Sequence, residues 1–213
     1  SPLTRAKVAL ELLDDETVRQ NILEDIDDME RLIADLLESE ALNTRHAILR
    51  REPMDLGELV QSVIDTDFAE QRSRMDLLLT DERLEGQLDV TRMRLLVRNL
   101  VENALRYSPP GGEKLQIRAS RSGEHFELRV TDHGDGIPAE HLERVTEPFY
   151  RADPARSRAT GGIGLGLYLC RLIAEAHGRA LQIDSQLGRG TVVTITLSAW
   201  TVAGDPGLAP DLQ

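Results

Sequence analysis

The sequence predicts an α+β chain in which a helical hairpin leads into a domain of helices packed on one face of a mixed sheet. Three observations carry that expectation. Apolar residues recur at helical spacing from Leu3 to Leu37. The rhythm stops between Arg50 and Pro53. Beyond that point helical stretches mix with stretches that alternate with a period of two, the pattern of a sheet covered on one side.

In the first helix Leu3, Ala6, Leu10 and Leu13 fall along one stripe. After Asp14, Asp15 and Glu16, which suit a turn and an acidic helix start, the stripe resumes as Ile22, Ile26, Met29, Ile33 and Leu36. Leu23, Leu32 and Leu37 widen this second face beyond what one partner helix covers, so a second copy completing a four-helix dimer is expected. Packing on the rest of the same chain is the alternative, because periodicity does not name its partner.

Asp55 and Glu58 then resemble a capping box opening a helix through Leu59, Val63 and Ile64. A strand is expected over Leu77–Thr80, a helix capped by Asp89 over Val90–Tyr107, and paired strands over Leu115–Ser120 and Phe126–Thr131. A helix from Leu165 and strands over Ala180–Ser185 and Thr191–Leu197, joined through Gly188 and Gly190, complete the domain. The expected divisions are 1–49 for the hairpin, 50–199 for the layered domain and 200–213 for a loose Gly- and Pro-containing tail.

The formal charge of −12 opposes binding to a phosphate backbone, and no basic stripe offsets it, so nucleic acid is excluded as a partner. No apolar run approaches the ~20 residues of a membrane span, which predicts a soluble piece. The single cysteine, Cys170, lies in an apolar helical stretch, reads as a packed thiol and fits a cytoplasmic protein.

Asn99 and Asn103, four apart on one helix, place both amides on one side, with Arg106 and Tyr107 a turn further. With Leu96, Leu100, Val101 and Ala104 opposite, the asparagines are expected outside the core, where a carbonyl oxygen suits magnesium or simply faces solvent. In Asp132-His133-Gly134-Asp135-Gly136-Ile137 a strand ends in an acid and two glycines turn the chain, which leaves either a tight polar turn or a carboxylate that accepts from an exocyclic amine. Gly161-Gly162-Ile163-Gly164-Leu165-Gly166 runs into a helix and aims free N–H groups at an anion. Leu167 stands where a dinucleotide fingerprint needs glycine, and no Gly-Lys-Ser/Thr ending makes a P-loop. Between these elements Glu147-Pro148-Phe149-Tyr150-Arg151 precedes an aperiodic stretch, Ala152–Thr160, that reads as a lid whose Arg156 and Arg158 either close on phosphate or stay solvated.

The order Asn-x-x-x-Asn, Asp-x-Gly-x-Gly, Pro-Phe and Gly-x-Gly-x-Gly resembles the four nucleotide-binding boxes of sensor histidine kinases, and the likeness runs to about Leu197. Ser1-Pro2-Leu3-Thr4-Arg5 is similar to the end of that family's phosphoacceptor motif. The resemblance implies a Bergerat-type ATP fold, with ATP and Mg²⁺ as cofactors, for the second domain. It implies Asn103 as the magnesium ligand and Asn99 as a polar contact near the phosphates or metal, both in catalytic roles, with Arg106 near the phosphates. Tyr107 would stack on adenine and Asp132 would bond its amine in a pocket shaped by Gly134, Gly136 and Ile137, while Gly162, Gly164, Leu165 and Gly166 would line the phosphate side.

Ser1 would orient a water for dephosphorylation of a partner response regulator receiver domain. The family's phosphoacceptor histidine falls just ahead of Ser1, so a chain that binds ATP without labelling itself is expected. His46, His125, His133, His141 and His177 read as structural. The resemblance further implies a homodimer and, for the longer protein, a membrane anchor through an N-terminal sensor region, with this portion in the cytoplasm. Two rivals are a gyrase-like ATPase and a nucleotide-binding interaction module; against hydrolysis, Asn99 stands where such an enzyme places its glutamate base, and Glu102 is rotated about 100° away.

Overall fold

The computed structural model describes residues 16–43, 49–80, 82–123, 125–152 and 163–198. The chain divides into two compact units, Ser1–Ala47 and Ile48–Gln213. Ser1, the first hairpin helix, His46, Arg156, Arg158, Gly162 and the tail lie outside the described residues.

In the first unit, helix α1 (Glu16–Asn43) runs for 28 residues, about 42 Å at 1.5 Å per residue. Glu16 opens it with a carboxylate that suits the helix N-terminus and pairs with Arg19 one turn on at 2.6 Å. Ile26 and Leu42 are buried, whereas Val18, Met29, Ile33, Leu36 and Leu37 are exposed. The stripe read from the sequence is present, and most of it lies bare in the single chain.

The second unit runs β1 (Arg51–Asp55), α2 (Leu56–Asp67), a 3₁₀ turn (Ala69–Arg74), β2 (Met75–Leu79), β3 (Glu85–Asp89), α3 (Val90–Tyr107), β4 (Leu115–Ser122), β5 (His125–Asp132), α4 (Ala139–Leu142), α5 (Gly166–Ala176), β6 (Leu181–Gln186) and β7 (Gly190–Ser198). Five strands form a sheet ordered β2-β4-β5-β7-β6, and β1 and β3 form a separate pair. The sheet is mixed because β2 pairs parallel with β4 while every other pairing is antiparallel. That parallel pair needs a long crossover, which contains α3.

Alternation sets the two faces. Leu115, Ile117 and Ala119 of β4, Phe126, Leu128 and Val130 of β5, and Val193, Ile195 and Leu197 of β7 are all buried. With them pack Leu59, Val63 and Ile64 of α2, Leu96, Leu100 and Val101 of α3, and Leu169 and Ile173 of α5. The other face is polar and carries a concavity of about 370 Å³ lined by Gln116, Arg118, Ser120, Glu127, Arg129 and Thr131, none of them a motif residue. No helix among the described residues is long and apolar enough to cross a membrane.

Two caps anticipated from the sequence form. Asp55 Oδ1 accepts from the Glu58 amide at 3.0 Å, and its Oδ2 also accepts from Leu84 N at 2.7 Å. Asp89 Oδ1 accepts from Arg92 N at 3.2 Å. The strand expected over Leu77–Thr80 begins two residues earlier, at Met75. The β1–β3 pair was not anticipated: β1 is Arg-Glu-Pro-Met-Asp, mostly exposed, and offers no apolar alternation to read.

Candidate functional site

Helix α3 is the spine of the site. Asn99 departs from the sequence expectation, since it is 8% exposed and counts among the buried residues of the helix. The reason is that α3 has two covered sides: one meets the sheet, and the flank bearing Asn99 meets the start of α5. Its amide Nδ2 donates back to Leu95 O at 3.0 Å, which satisfies the buried donor. Its Oδ1 lies 3.2 Å from where a β-carbon on Gly166 would sit. Asn103, one turn on, is half-buried, and Arg106 and Tyr107 are exposed.

The C-terminal end of α3 abuts the Asp132 turn. A β-carbon on Gly134 would collide with the Tyr107 carbonyl, so glycine is what lets turn and helix meet. Asp132 ends the central strand β5 and is 8% exposed. Its Oδ1 takes both of the amide bonds, from Gly134 N at 2.9 Å and Thr191 N at 3.2 Å. Burial nevertheless pushes its carboxyl above the ordinary carboxylate value, and the two amide bonds and nearby His133 only partly offset it. Gly136 is closed against the Gln186 carbonyl, and Ile137 N donates to Ser185 Oγ at 2.8 Å. Ser185 in turn donates to Gly190 O at 2.9 Å and faces Thr191 Oγ1 at 2.9 Å, which ties the turn to β6 and β7.

At the other end, Phe149 N donates to Gly164 O at 3.0 Å. Gly164 has φ +79, and a β-carbon there would press on the Tyr150 carbonyl. Leu165 caps α5 with its backbone while its side chain is buried, so any contribution to a ligand comes from the main chain. Leu165 offers this helix start no side-chain cap, which suits the first N–H groups of α5 to an anion.

Both turns named in the sequence thus meet α3, one at Tyr107 and one at Asn99. Eight residues of helix separate these contacts, about 12 Å. Thr191, Ser185 and Gly190 were missed by sequence reasoning, yet all three brace the Asp132 turn. The signal that would have found them is Gly188-Arg189-Gly190-Thr191, a second glycine pair that was read only as a hairpin. Among the described residues no group of three His, Cys, Asp or Glu side chains is placed to hold a metal ion.

Residues 88–201 match the family described as the histidine kinase-, DNA gyrase B- and HSP90-like ATPases. That is more than half of the sequence. The chain belongs to this family. Within it, the chain is similar to the sensor histidine kinase WalK of Bacillus subtilis, 33% identical over 172 residues that cover 79% of this chain and 28% of WalK. It is also similar to the sensor protein SrrB of Staphylococcus aureus, 31% identical over 179 residues that cover 83% of this chain and 30% of SrrB. Among solved structures, the mycobacterial sensor histidine kinase MprB superposes with a TM-score of 0.59 at 30% identity, covering 70% of this chain and 97% of that one. The chain spans less than a third of the length of WalK and SrrB. Family membership makes the α+β unit an ATPase-type domain and accounts for its mixed sheet with helices on one face.

Proposed function

We propose that the second unit binds Mg-ATP along the flank of α3 and serves a two-component sensor histidine kinase, passing the γ-phosphoryl group to a histidine and then to an aspartate of a response regulator. The observation that carries this reading is the placement of Asn99, Asn103 and Tyr107 on one helix that meets the Asp132 turn at Tyr107 and the start of α5 at Asn99. An extended nucleotide, with a base at one end and phosphates at the other, has the shape such a strip accepts.

On this reading Asp132 accepts from the adenine amine with its second carboxylate oxygen, a role supported by the two bonds that Oδ1 already carries. Tyr107, exposed at the rim, stacks on the ring, and the open start of α5 meets phosphate. Asn103 offers a single hard oxygen, which fits a magnesium ion that arrives on the phosphates and keeps most of its waters. Bound there, the metal would neutralise phosphate charge. Transfer is favoured over hydrolysis by Asn99, an amide where a base would stand, and by Glu102, which turns aside to Arg98 at 3.8 Å. None of the sequence's five histidines has the phosphoacceptor context, so on this reading the chain binds nucleotide without labelling itself.

The bare stripe of α1 supports pairing of two copies into a four-helix bundle, and Ser1 would serve regulator dephosphorylation. Calorimetric titration with ATP tests the site: Asp132→Ala should weaken binding about tenfold or more, equal to about 1.4 kcal/mol, and Asn103→Ala should abolish the magnesium dependence. Unchanged values for both would remove the assignment.

A further inference from the structure

Helices α3 and α5 pack antiparallel, and three contacts mark their seam. Asn99 meets Gly166, Cys170 Sγ lies 3.6 Å from Leu96 O, and His177, just past the end of α5, meets Asp89 at the cap of α3. The first of these contacts is at the nucleotide strip; the last closes the far end.

The sequence reads His177 as structural, and in the structure both of its ring nitrogens have partners. Asp89 N lies 3.1 Å from Nε2, and Nδ1 lies 2.8 Å from Ile173 O. A backbone N–H can only donate and a carbonyl can only accept, so the neutral ring must carry its proton on Nδ1. Asp89 is itself buried and saturated: Oδ1 accepts from Arg92 N, Oδ2 accepts from Arg50 N at 3.0 Å, and Arg92 Nη1 is 3.7 Å from Oδ2. Arg51 Nη2 donates to Ala176 O at 3.4 Å, so the start of β1 is fastened to the same knot.

A second ring proton would point Nε2–H at the Asp89 N–H, donor against donor, and strip a buried amide of its acceptor. The charged groups facing the ring are the Asp89 carboxylate, which favours that proton, and Arg51 of β1 with Arg92 of α3, which oppose it. Burial outweighs them all and holds the imidazole below its ordinary 6.5. The knot's contribution to stability is therefore complete above about 6.5, the unfolded value, and is lost as pH falls through the lower folded value.

We propose that neutral His177 is a positioning residue of the nucleotide site: it sets the register of α5 against α3, and its protonation slackens that register and weakens nucleotide binding. The inference rests on the nucleotide reading above. It assigns no contact between His177 and the ligand; the effect travels along α5 to Gly166 and across to Asn99.

The test is ATP titration of the whole chain at pH 7.5 and at successively lower pH down to the acid limit of the native fold, as wild type, His177→Gln and His177→Ala, with circular dichroism to verify folding at each pH. Glutamine keeps one acceptor and one donor but does not titrate, and the nucleotide's own phosphates and Asp132 titrate alike in both proteins. Wild-type affinity should fall about fivefold or more beyond the fall seen in His177→Gln, the lower range of coupling between linked sites. Equal pH slopes in wild type and His177→Gln would overturn the role of His177 while leaving the site intact, as would a folded His177→Ala that binds ATP like wild type at pH 7.5. Absence of binding by wild type at pH 7.5 would instead overturn the nucleotide reading, and this inference with it.

Discussion

The Asn99 side-chain oxygen sits 3.2 Å from the place a β-carbon on Gly166 would occupy, so α3 and α5 meet with no room for a methyl group. Asn99 cannot swing freely aside, because its amide is held on Leu95 O. In Gly166→Ala the contact must open by a few tenths of an ångström, while the lost freedom of glycine in the unfolded chain contributes about 0.4–1 kcal/mol the other way. The two effects oppose in stability but not in the site. Melting temperature should stay close to wild type while ATP affinity falls about threefold to tenfold, 0.7–1.4 kcal/mol, measured by calorimetry beside a thermal melt.

Asp132 carries a burial cost that its two amide bonds do not cancel. Its folded pKa is raised, so the stability linked to its proton is complete below the ordinary value of about 3.8 and is lost as pH rises through the folded value. Asp132→Asn keeps an Oδ1 acceptor for Gly134 and Thr191 but sheds the charge. The variant should melt higher than wild type at pH 7, converge with it near pH 3.5, and bind ATP more weakly, as scanning calorimetry and titration will show. A lower melting temperature at pH 7 would mean that the charge itself is stabilising.

Gly134→Ala tests the other contact of α3. Here the obstacle is the backbone carbonyl of Tyr107, which has no flexible end to yield. Overpacking of this kind costs about 1–3 kcal/mol, so chemical denaturation should show a lowered midpoint with an unchanged slope.

How much of this was legible beforehand depends on what a single periodicity can carry. The span of α3, Val90–Tyr107, and its Asp89 cap were readable because eighteen residues of helical rhythm follow a capping carboxylate. The burial of Asn99 was not, because a helix that packs on a sheet and on a neighbouring helix buries two flanks, and the second is decided by α5, nearly seventy residues away. The β1–β3 pair was illegible for a different reason: Pro53 and exposed Glu52 sit in a strand held by pairing rather than by apolar alternation. His177 was legible as structural but its partner was not, because the sequence could not show that the amide of Asp89 would need an acceptor.

The bare stripe of α1 gives a solution test. Ile33 and Leu37 are both exposed in the single chain, whereas Ile26 of the same stripe is buried, so they are the positions to charge. Ile33→Asp with Leu37→Asp should halve the mass seen in sedimentation if two copies pair through this face, with helix content retained. An unchanged dimeric mass would place the pairing elsewhere.

Thr191 donates its amide to Asp132 from a strand that begins only at Gly190, whereas the last of the recognisable motifs is over by Gly166. The order of synthesis therefore matters. A ribosome that has released everything through Arg189 has delivered every motif residue, yet Asp132 still lacks one of its two amide partners and β5 lacks its β7 neighbour. On the proposed reading base recognition therefore waits for β7, and a messenger cut short ahead of it should yield a product that carries the full signature but lacks the brace of the base-binding carboxylate.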